Sequence, residues 1–261
     1  MMPKNNPTPL LKALIFERRI PLRYWVKINN FLKTTLGYTI YFNKNTNYKI
    51  VKQTYKNYHD LMCLDDIWIR HEYSRFNLKL KKKSVIVDIG ANIGAFTSFV
   101  ANIATKGKIY SYEPDARNFK LTKKNIELNR FKNVKLYQKG VFNKNTNVTL
   151  YVNSNATASN SMFNKDNKDK KEIITCIPLE NVFKDNNIEK CDLLKIDTEG
   201  AEYKIIKAFP KKYYDNIKEI ILEFHNGTQG LDTYFEKQGY KIDIIPGSKN
   251  DYSWGLIHAK K

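Results

Sequence analysis

Acidic residues stand at the ends of two predicted strands near the middle of the chain. Asp88 lies in the apolar run Val85–Ile89, which leads directly into a turn that contains Gly90 and Gly94. Glu113 ends the next apolar run. A continuous apolar run is typical of a parallel strand that is covered on both faces. Because open α/β sheets bind ligands at the carboxyl ends of their strands, these residues predict a ligand site at that edge.

The glycine turn indicates which class of ligand the site takes. A dinucleotide-binding turn would carry a middle glycine where this chain has Asn92, and the carboxylate of Asp88 would lie close to the pyrophosphate. A carboxylate at that point suits a cationic ligand better, and S-adenosylmethionine carries ammonium and sulfonium charges. We therefore predict this cofactor, with Glu113 accepting hydrogen bonds from both ribose hydroxyls. A dinucleotide enzyme and an α/β core without a nucleotide are the alternatives.

Three titratable residues are predicted to converge on the same edge. Asp197 follows the predicted strand Asp192–Ile196, and Glu223 and His225 lie at the end of the predicted strand Lys218–Phe224. Side chains two residues apart in a strand point to the same face, so Glu223 and His225 should be neighbours. Asp197 is predicted to contact the cofactor as well.

The histidine suggests the chemistry of this group. If the methyl acceptor is a hydroxyl, as the family resemblance given below implies, its proton must be removed, and histidine is the side chain whose pKa suits that task near neutral pH. We predict His225 as the general base, with Glu223 or Asp197 orienting the imidazole or the acceptor hydroxyl. In a rival account the three residues bind a divalent ion that acidifies the hydroxyl, and in a third account proximity alone drives the reaction. A metal is compatible with the site but is not predicted.

Predicted strands and helices alternate along the part of the chain that carries these residues. This alternation predicts a mostly parallel sheet covered by helices on both faces. The predicted elements are the strands Val85–Ile89, Lys108–Tyr112, Val134–Gln138, Asp192–Ile196 and Lys218–Phe224, the helices Gly94–Thr105 and Asp115–Asn129, and a helix that follows the turn Thr198–Glu202 and reaches Phe209. In the second helix, Asp115 is the predicted N-cap, and Phe119, Ile126 and Leu128 are predicted core residues. Short β segments at Val148–Val152, Ala158–Phe163 and Ile173–Ile177 predict a β insertion, where we expect substrate specificity to arise.

The N-terminal part of the chain has a different composition. In the segment Pro9–Lys33, six basic residues accompany a single acid, and Pro21 is predicted to divide it into two short helices. These helices either form a cap packed on the domain or rest on an anionic membrane surface. Gly37–Phe42 and Tyr48–Val51 predict a hairpin, and Asp65–Phe76 predicts a helix that covers the ligand site as a lid or wall.

Chain length, net charge and cysteine count limit the class of protein that the sequence can encode. The 261 residues are enough for one α/β domain, predicted over residues 73–261, and an N-terminal basic extension of helices and a hairpin over residues 1–72. The formal net charge of +19 comes mostly from Lys. No compact Arg–aromatic platform accompanies that charge, so no nucleic-acid partner is predicted. Three cysteines without C-x-x-C spacing and the lack of a long apolar run or a secretory signal favour a cytoplasmic protein, with peripheral contact to the inner face of the membrane as an alternative.

Four motifs together resemble one protein family. They are Val87–Gly94, Tyr112–Pro114, Leu194–Glu202 and Leu222–His225, and they resemble the FkbM family of S-adenosylmethionine-dependent methyltransferases over about Tyr73 to Lys261. The resemblance implies a class I, Rossmann-like methyltransferase fold whose seven-stranded sheet is closed by Tyr240–Ile245 and Trp254–Ala259. It also implies O-methyl transfer to a hydroxyl of a sugar, glycan or related small metabolite. The cofactor-binding residues that it implies are Asp88, Gly90, Asn92, Gly94 and Glu113.

Two other functions stay open from the sequence. An RNA 2′-O-methyltransferase would use two acids and two lysines, for which Lys195, Asp197, Lys204 and Glu223 are candidates. A non-catalytic binding module would keep the fold without the reaction, although the intact Asp88 and Glu113 argue against it. The signature Asn/Asp-Pro-Pro-Tyr, which accompanies methylation of amino groups, is missing after the fourth strand.

Overall fold

The computed structural model of the protein describes residues 24–34, 37–44, 51–55, 58–68, 73, 76–153, 160–163, 170–248 and 251–261. Its strands are β1 (Tyr24–Thr34), β2 (Gly37–Lys44), β3 (Val51–Tyr55), β4 (Val85–Ile89), β5 (Lys108–Tyr112), β6 (Val134–Tyr137), β7 (Gly140–Phe142), β8 (Thr146–Val152), β9 (Lys170–Pro178), β10 (Cys191–Ile196), β11 (Ile217–Phe224), β12 (Lys241–Ser248) and β13 (Asp251–Lys260). Its helices are α1 (Tyr58–Trp68), α2 (Ala95–Ile103), α3 (Ala116–Asn129), α4 (Leu179–Asp185), α5 (Glu202–Ala208) and α6 (Leu231–Glu236), with a 3-10 helix at Lys211–Asn216.

A seven-stranded sheet in the order β12-β13-β11-β10-β4-β5-β6 positions the site. The five strands from β11 to β6 are parallel, whereas β13 is antiparallel to both of its neighbours. All five predicted parallel strands are confirmed to within one residue at either end, and the two closing strands are longer than predicted. From β4 the chain continues to β5 on one side and returns later as β10 on the other. A ligand site is therefore expected beside the carboxyl end of β4.

The central strands are apolar along their whole length because helices cover both faces of the sheet. Ile86 and Leu193 point into an apolar cluster that also contains residues of α1 and α2. Val87 and Leu194 point into the larger cluster on the other face, with residues of α4 and α5. Because side chains alternate along a strand, Asp88 lies on the same face as Ile86. The face that carries the acid is therefore the one that α1 and α2 cover.

Helix α3 begins at the predicted N-cap, where the Asp115 side chain accepts a hydrogen bond from the Asn118 backbone N–H at 2.7 Å. The prediction of its core residues is wrong. Phe119, Ile126 and Leu128 are only partly buried, and the buried side chains are Asn118, Leu121, Thr122 and Asn125. The helix packs against the backbone of the glycine turn, whose carbonyl groups require hydrogen-bond donors. Thr122 donates to Asn92 O, and Asn125 donates to Ile93 O at 2.7 Å, so polar residues face inward.

The N-terminal strands differ from the predicted extension. Residues 24–34 form β1, which pairs with β2, so the predicted helix is wrong over this part of Pro9–Lys33. The segment is rich in aromatic and β-branched residues, which favour strands. The predicted hairpin is present, although β3 begins at Val51, where its second strand was predicted to end. The rest of the predicted helical segment, including Pro21, lies outside the described residues, and contact with an anionic membrane stays a prediction.

Helix α1 starts and ends earlier than the predicted helix Asp65–Phe76. It carries Leu64, Ile67 and Trp68 into the same apolar cluster as Ile86 of β4, because these side chains recur on one face of the helix. The helix therefore packs with the main domain, although the predicted boundary at residue 72 placed it in the extension. Within the described ranges, no helix is long and apolar enough to cross a membrane.

The predicted β insertion is a separate three-stranded sheet in the order β7-β9-β8. Strands β8 and β9 contain the predicted segments Val148–Val152 and Ile173–Ile177 and pair in antiparallel fashion. Of the predicted segment Ala158–Phe163, the described residues 160–163 form a single bridge between Ser161 and Tyr151. The other residues of that segment lie outside the described ranges.

We predict that Gly90→Ala destabilises the protein far more than Gly239→Ala. Both glycines have positive φ, +78° and +86°, so an added side chain costs roughly 1–2 kcal/mol of backbone strain at either position. A Cβ at residue 90 would also lie 1.7 Å from Asp197 O, whereas one at residue 239 would meet nothing within 4 Å. Urea unfolding should show a loss at residue 90 larger by about 1–3 kcal/mol, the usual cost of overpacking. Equal losses of stability would show that the backbone at Asp197 can move away from residue 90 to make room for the added Cβ.

Candidate active site at the carboxyl edge of the sheet

A buried ion pair lies beneath the glycine turn. Strand pairing places Lys195 of β10 directly opposite Asp88 of β4. The Lys195 Nζ is 3.5 Å from Asp88 Oδ1 and 3.3 Å from Asp197 Oδ2, and it donates a hydrogen bond to Gly90 O at 2.9 Å. Burial lowers the pKa of Lys195, but the carboxylates of Asp197 and Asp88 outweigh that effect and hold it above its usual value. The Lys195 ammonium group therefore links Asp88 of β4, the carbonyl of Gly90 in the glycine turn, and Asp197.

Asp88 is fully buried. Its Oδ2 accepts a hydrogen bond from Thr97 Oγ1 at 2.6 Å, and Thr97 Oγ1 is 2.9 Å from Ser111 Oγ. Burial raises the pKa of Asp88, an effect that the charge of Lys195 opposes. Asp88 is not among the described residues that line the cavities at this edge. In the structure it supports the turn through Lys195, and its direct contact with the cofactor stays a prediction.

Glu113 holds the other side of the turn. Its Oε2 accepts a hydrogen bond from the Asn92 backbone N–H at 2.7 Å, and its Oε1 accepts one from the Asp115 N–H at 2.9 Å. Asn92 itself adopts a positive φ of 51°. Burial raises the pKa of Glu113 to about 8, with a smaller contribution from the charge of Asp115. Each carboxylate oxygen can accept more than one hydrogen bond, so the predicted contact with ribose hydroxyls stays possible.

Two cavities meet at this edge of the sheet. The first, the Glu113 cleft, runs between the end of β5 and the β insertion and is lined by Tyr112, Glu113, Pro114, Gly140, Val141 and Met162 among others. The second, the acidic cavity, encloses about 390 Å³ and is covered on one side by α1, as the predicted lid or wall would cover it. Its charged lining residues are Asp66, Lys195, Asp197, Glu199 and Glu223. Gly90, Asn92, Asp197 and Glu199 line both cavities, so the two are continuous. Gly94 packs closely against Thr122, and its contact with the cofactor stays a prediction.

The structure brings together the three predicted catalytic residues. Asp197, Glu223 and His225 each place one ligand atom within 4.8 Å of the other two, although they come from the ends of two different strands. All three are partly exposed, with side-chain accessibilities of 26%, 21% and 17%. Two carboxylates and one imidazole form a donor set that Mn²⁺ or Fe²⁺ accepts, so the rival account based on a metal also fits this geometry.

The contacts of His225 differ from those predicted. Its Nδ1 lies 2.6 Å from Oε1 of Glu202, a fully buried carboxylate at the start of α5. Its Nε2 lies 3.6 Å from Glu199 Oε2 and 3.7 Å from Glu223 Oε1. Glu202, rather than Glu223 or Asp197, therefore orients the ring. Both Glu199 and Glu202 belong to the motif Leu194–Glu202, but their roles were missed because the sequence did not show how the turn folds back toward β11.

The surrounding carboxylates change the protonation of His225. Burial alone would lower the pKa of the ring, but the carboxylates of Glu199 and Glu202 beside it raise its pKa to about 12. Burial in turn raises the pKa of Glu199, an effect that His225 opposes. The two carboxylates therefore favour the imidazolium form of the ring. Positive charge that enters the cluster would lower the pKa again and favour the neutral ring, which is the form that accepts a proton.

Glu199 is held in an unusual conformation. Its φ of +53° lies in the left-handed region, which is costly for a residue with a side chain. Ser161 of the β insertion donates a hydrogen bond to Glu199 O at 2.7 Å, which helps to hold the turn in place. Strained backbone of this kind persists where the surroundings over-determine it, and it is often found at functional sites. The insertion thus takes part in shaping the site.

We predict that Lys195→Met lowers the free energy of unfolding by about 3–5 kcal/mol, because it leaves the charge of Asp88 buried without its cation. The matched control is Lys218→Met, which removes an amine that pairs with Asp192 at the surface and should cost at most about 1 kcal/mol. Urea unfolding of both variants measures the difference.

The double variant Asp88→Asn with Lys195→Met should recover part of the loss, because no unpaired charge then remains inside. If Lys195→Met costs no more than Lys218→Met, the buried pair does not support the site.

Comparisons with known proteins agree with this architecture. The Methyltransferase FkbM domain model matches residues 88–242 of the chain. Methyltransferase 1 of Beauveria bassiana is 21% identical over 183 residues, which cover 62% of this chain and 74% of that protein. The methyltransferase SdnD of Sordaria araneosa is 24% identical over 188 residues, or 60% of this chain and 72% of that protein.

A solved structure shares the fold. The METTL16 methyltransferase domain superposes on 97% of this chain and 92% of its own length, with a TM-score of 0.51 and 12% sequence identity. That similarity confirms the class I, Rossmann-like fold and carries no further information about the reaction. The FkbM match covers more than half of the residues and contains both acids at the ends of β4 and β5. The chain therefore belongs to the FkbM family of S-adenosylmethionine-dependent methyltransferases.

Proposed function

We propose that the protein transfers a methyl group from S-adenosylmethionine to a hydroxyl of a sugar, a glycan or a related small metabolite. The observation that carries this proposal is the cluster of Asp197, Glu223 and His225 beside the acidic cavity. A hydroxyl must lose its proton as the new C–O bond forms, and this cluster offers groups that can accept it. The lack of Asn/Asp-Pro-Pro-Tyr after β10 favours oxygen over nitrogen as the methylated atom.

The residues at the sheet edge fit this methyl donor. Glu113 offers carboxylate oxygens to the ribose hydroxyls in the Glu113 cleft. In the acidic cavity, four carboxylates face one amine among the described lining residues, and that balance suits the ammonium and sulfonium groups. When bound, S-adenosylmethionine supplies a methyl group on a positively charged sulfur. The two cavities are continuous at Gly90 and Asn92, which allows one ligand to occupy both.

In this proposal His225 is the proton acceptor and Glu202 positions it. Positive charge in the acidic cavity lowers the pKa of the ring, and Nε2 then becomes free to take a proton. With the donor bound, Nε2 of His225 would accept the proton that the acceptor hydroxyl loses as its oxygen takes the methyl group. The Nδ1–H of the ring donates a hydrogen bond to Glu202, which keeps that proton on Nδ1 and so fixes the tautomer. Glu223 and Asp197 face the acceptor side of the ring.

The test compares His225→Asn with His258→Asn. Asn at residue 225 keeps a donor near the position of Nδ1 for Glu202, which limits the damage to folding. His258 is a control because it also pairs with a carboxylate, Glu219 at 3.0 Å, but lies in β13 away from the cluster. We expect His225→Asn to lower turnover by roughly 10²–10⁴ without weakening cofactor binding, while His258→Asn retains turnover.

Turnover is measured with methyl-labelled donor on a panel of sugars, nucleotide sugars and an RNA oligomer, followed by location of the label. A label on nitrogen or carbon would overturn the proposal, and a label on an RNA 2′-hydroxyl alone would favour the RNA alternative. No transfer to any acceptor, despite cofactor binding, would favour the binding module. Loss of activity with a chelator and recovery with Mn²⁺ or Mg²⁺ would assign Asp197, Glu223 and His225 to a metal instead.

A further inference from the structure

A third cavity adjoins the cluster on the side away from the acidic cavity. It encloses about 670 Å³ between the β insertion, helix α5 and the loop after β11. Its lining includes Phe163, Lys204, Lys207 and Gln229, and it reaches Glu199 and His225. We refer to it as the basic cavity. It opens onto the catalytic histidine directly, so a group bound there lies next to the proposed base.

The charges of the two large cavities are opposite. Four carboxylates and one amine line the acidic cavity, whereas Lys204 and Lys207 face one carboxylate, Glu199, in the basic cavity. Glu199 belongs to the lining of both and stands between them. Charge of one sign in a cleft concentrates ligands of the other sign. The acidic side therefore suits the cationic methyl donor, and the basic side suits an anion.

The two lysines are available to bind an anion. The Lys204 Nζ lies 4.8 Å from the centre of the Phe163 ring and 5.6 Å from that of Phe142. Aromatic rings hold an ammonium group in position without neutralising its charge. In the described part of the chain, neither Lys204 nor Lys207 forms an ion pair with a carboxylate, and both are exposed. Lys195, at the same edge, is already paired with Asp88 and Asp197.

We propose that the acceptor is a sugar that carries an oxyanion, either a phosphate or a carboxylate, and that Lys204 and Lys207 bind this group. The inference rests on the proposed function and names the class of its acceptor. Phe163 is 43% exposed and lines the same cavity, so its ring offers an apolar wall for the sugar ring. The cavity is of a size that holds a small molecule, which favours a sugar phosphate or an acidic sugar over an RNA strand.

The experiment uses the full chain with three probes that differ in charge. These are UDP-glucose, glucuronic acid and glucose, which present a diphosphate, a carboxylate and no charge. Binding of each is measured by calorimetry in the presence of S-adenosylhomocysteine, at low and at moderate salt. We expect the charged probes to bind at least about 5-fold more tightly than glucose, with the advantage decreasing as salt increases. The comparison between the two charged probes identifies which oxyanion the cavity prefers.

The variant Lys204→Met with Lys207→Met removes both charges and keeps most of the side-chain volume. The matched control, Lys190→Met with Lys237→Met, removes two exposed lysines elsewhere and so lowers the net charge equally. We expect the first variant to weaken binding of the preferred charged probe by roughly 5- to 30-fold, the scale of two partly exposed ion pairs, and the control to keep it. Equal binding of all three probes, or equal losses in both variants, would overturn the proposal.

Failure of this inference is distinguishable from failure of the proposed function. If labelled methyl groups reach sugar hydroxyls with no preference for charged acceptors, the proposed function stands and the basic cavity does not select an anion. If no hydroxyl is methylated, the proposed function fails first. An RNA oligomer that competes with UDP-glucose and loses affinity in the Lys204 and Lys207 variant would show that the cavity belongs to an RNA site, which contradicts the sugar acceptor.

Discussion

The ion pair between Lys195 and Asp88 is the interaction on which the site depends. The register between β4 and β10 brings two charges of opposite sign face to face inside the protein. Neither charge would be tolerable alone, because the desolvation cost of an unpaired buried ion exceeds the stabilisation that most single contacts provide. The same ammonium group also contacts Asp197 and the carbonyl of Gly90. The glycine turn and Asp197 are therefore fixed to the sheet by one side chain.

The carboxyl edge of the sheet differs in charge from the protein as a whole. The chain carries a formal net charge of +19, yet carboxylates dominate the cavity next to the glycine turn. An acidic site in a basic protein must attract its cationic ligand locally, because the field of the whole molecule repels it. The carboxylates also determine the protonation of His225, whose pKa they raise to about 12. In the proposed reaction, binding of a cation and release of the histidine for proton transfer are coupled through the same acids.

Much of the architecture could be predicted from the sequence because its signals are local. The apolar runs of β4, β5 and β10, the N-cap Asp115 and the acids at the strand ends follow from residue types and spacing. The inward face of α3 could not be predicted from the sequence. Its Thr122 and Asn125 are buried because they donate hydrogen bonds to carbonyl groups of the glycine turn, which is distant in sequence. Likewise, β1 depends on pairing with β2 rather than on its own charge pattern. The roles of Glu199 and Glu202 depend on tertiary contacts with His225, which no local motif shows.

We propose that the carboxylates keep His225 protonated until the positively charged donor binds. Nitrogen NMR of the imidazole ring is the decisive measurement, because the chemical shifts of Nδ1 and Nε2 distinguish the imidazolium from the neutral tautomers. S-adenosylmethionine and S-adenosylhomocysteine make a matched pair of ligands, since the second lacks the methyl group and the sulfonium charge. We expect an imidazolium at pH 7.5 in the free protein and in the S-adenosylhomocysteine complex. In the S-adenosylmethionine complex we expect a lower pKa, with the proton retained at Nδ1 beside Glu202. A neutral ring in the free protein, or an identical titration with both ligands, would show that the carboxylates do not control the ring in this way.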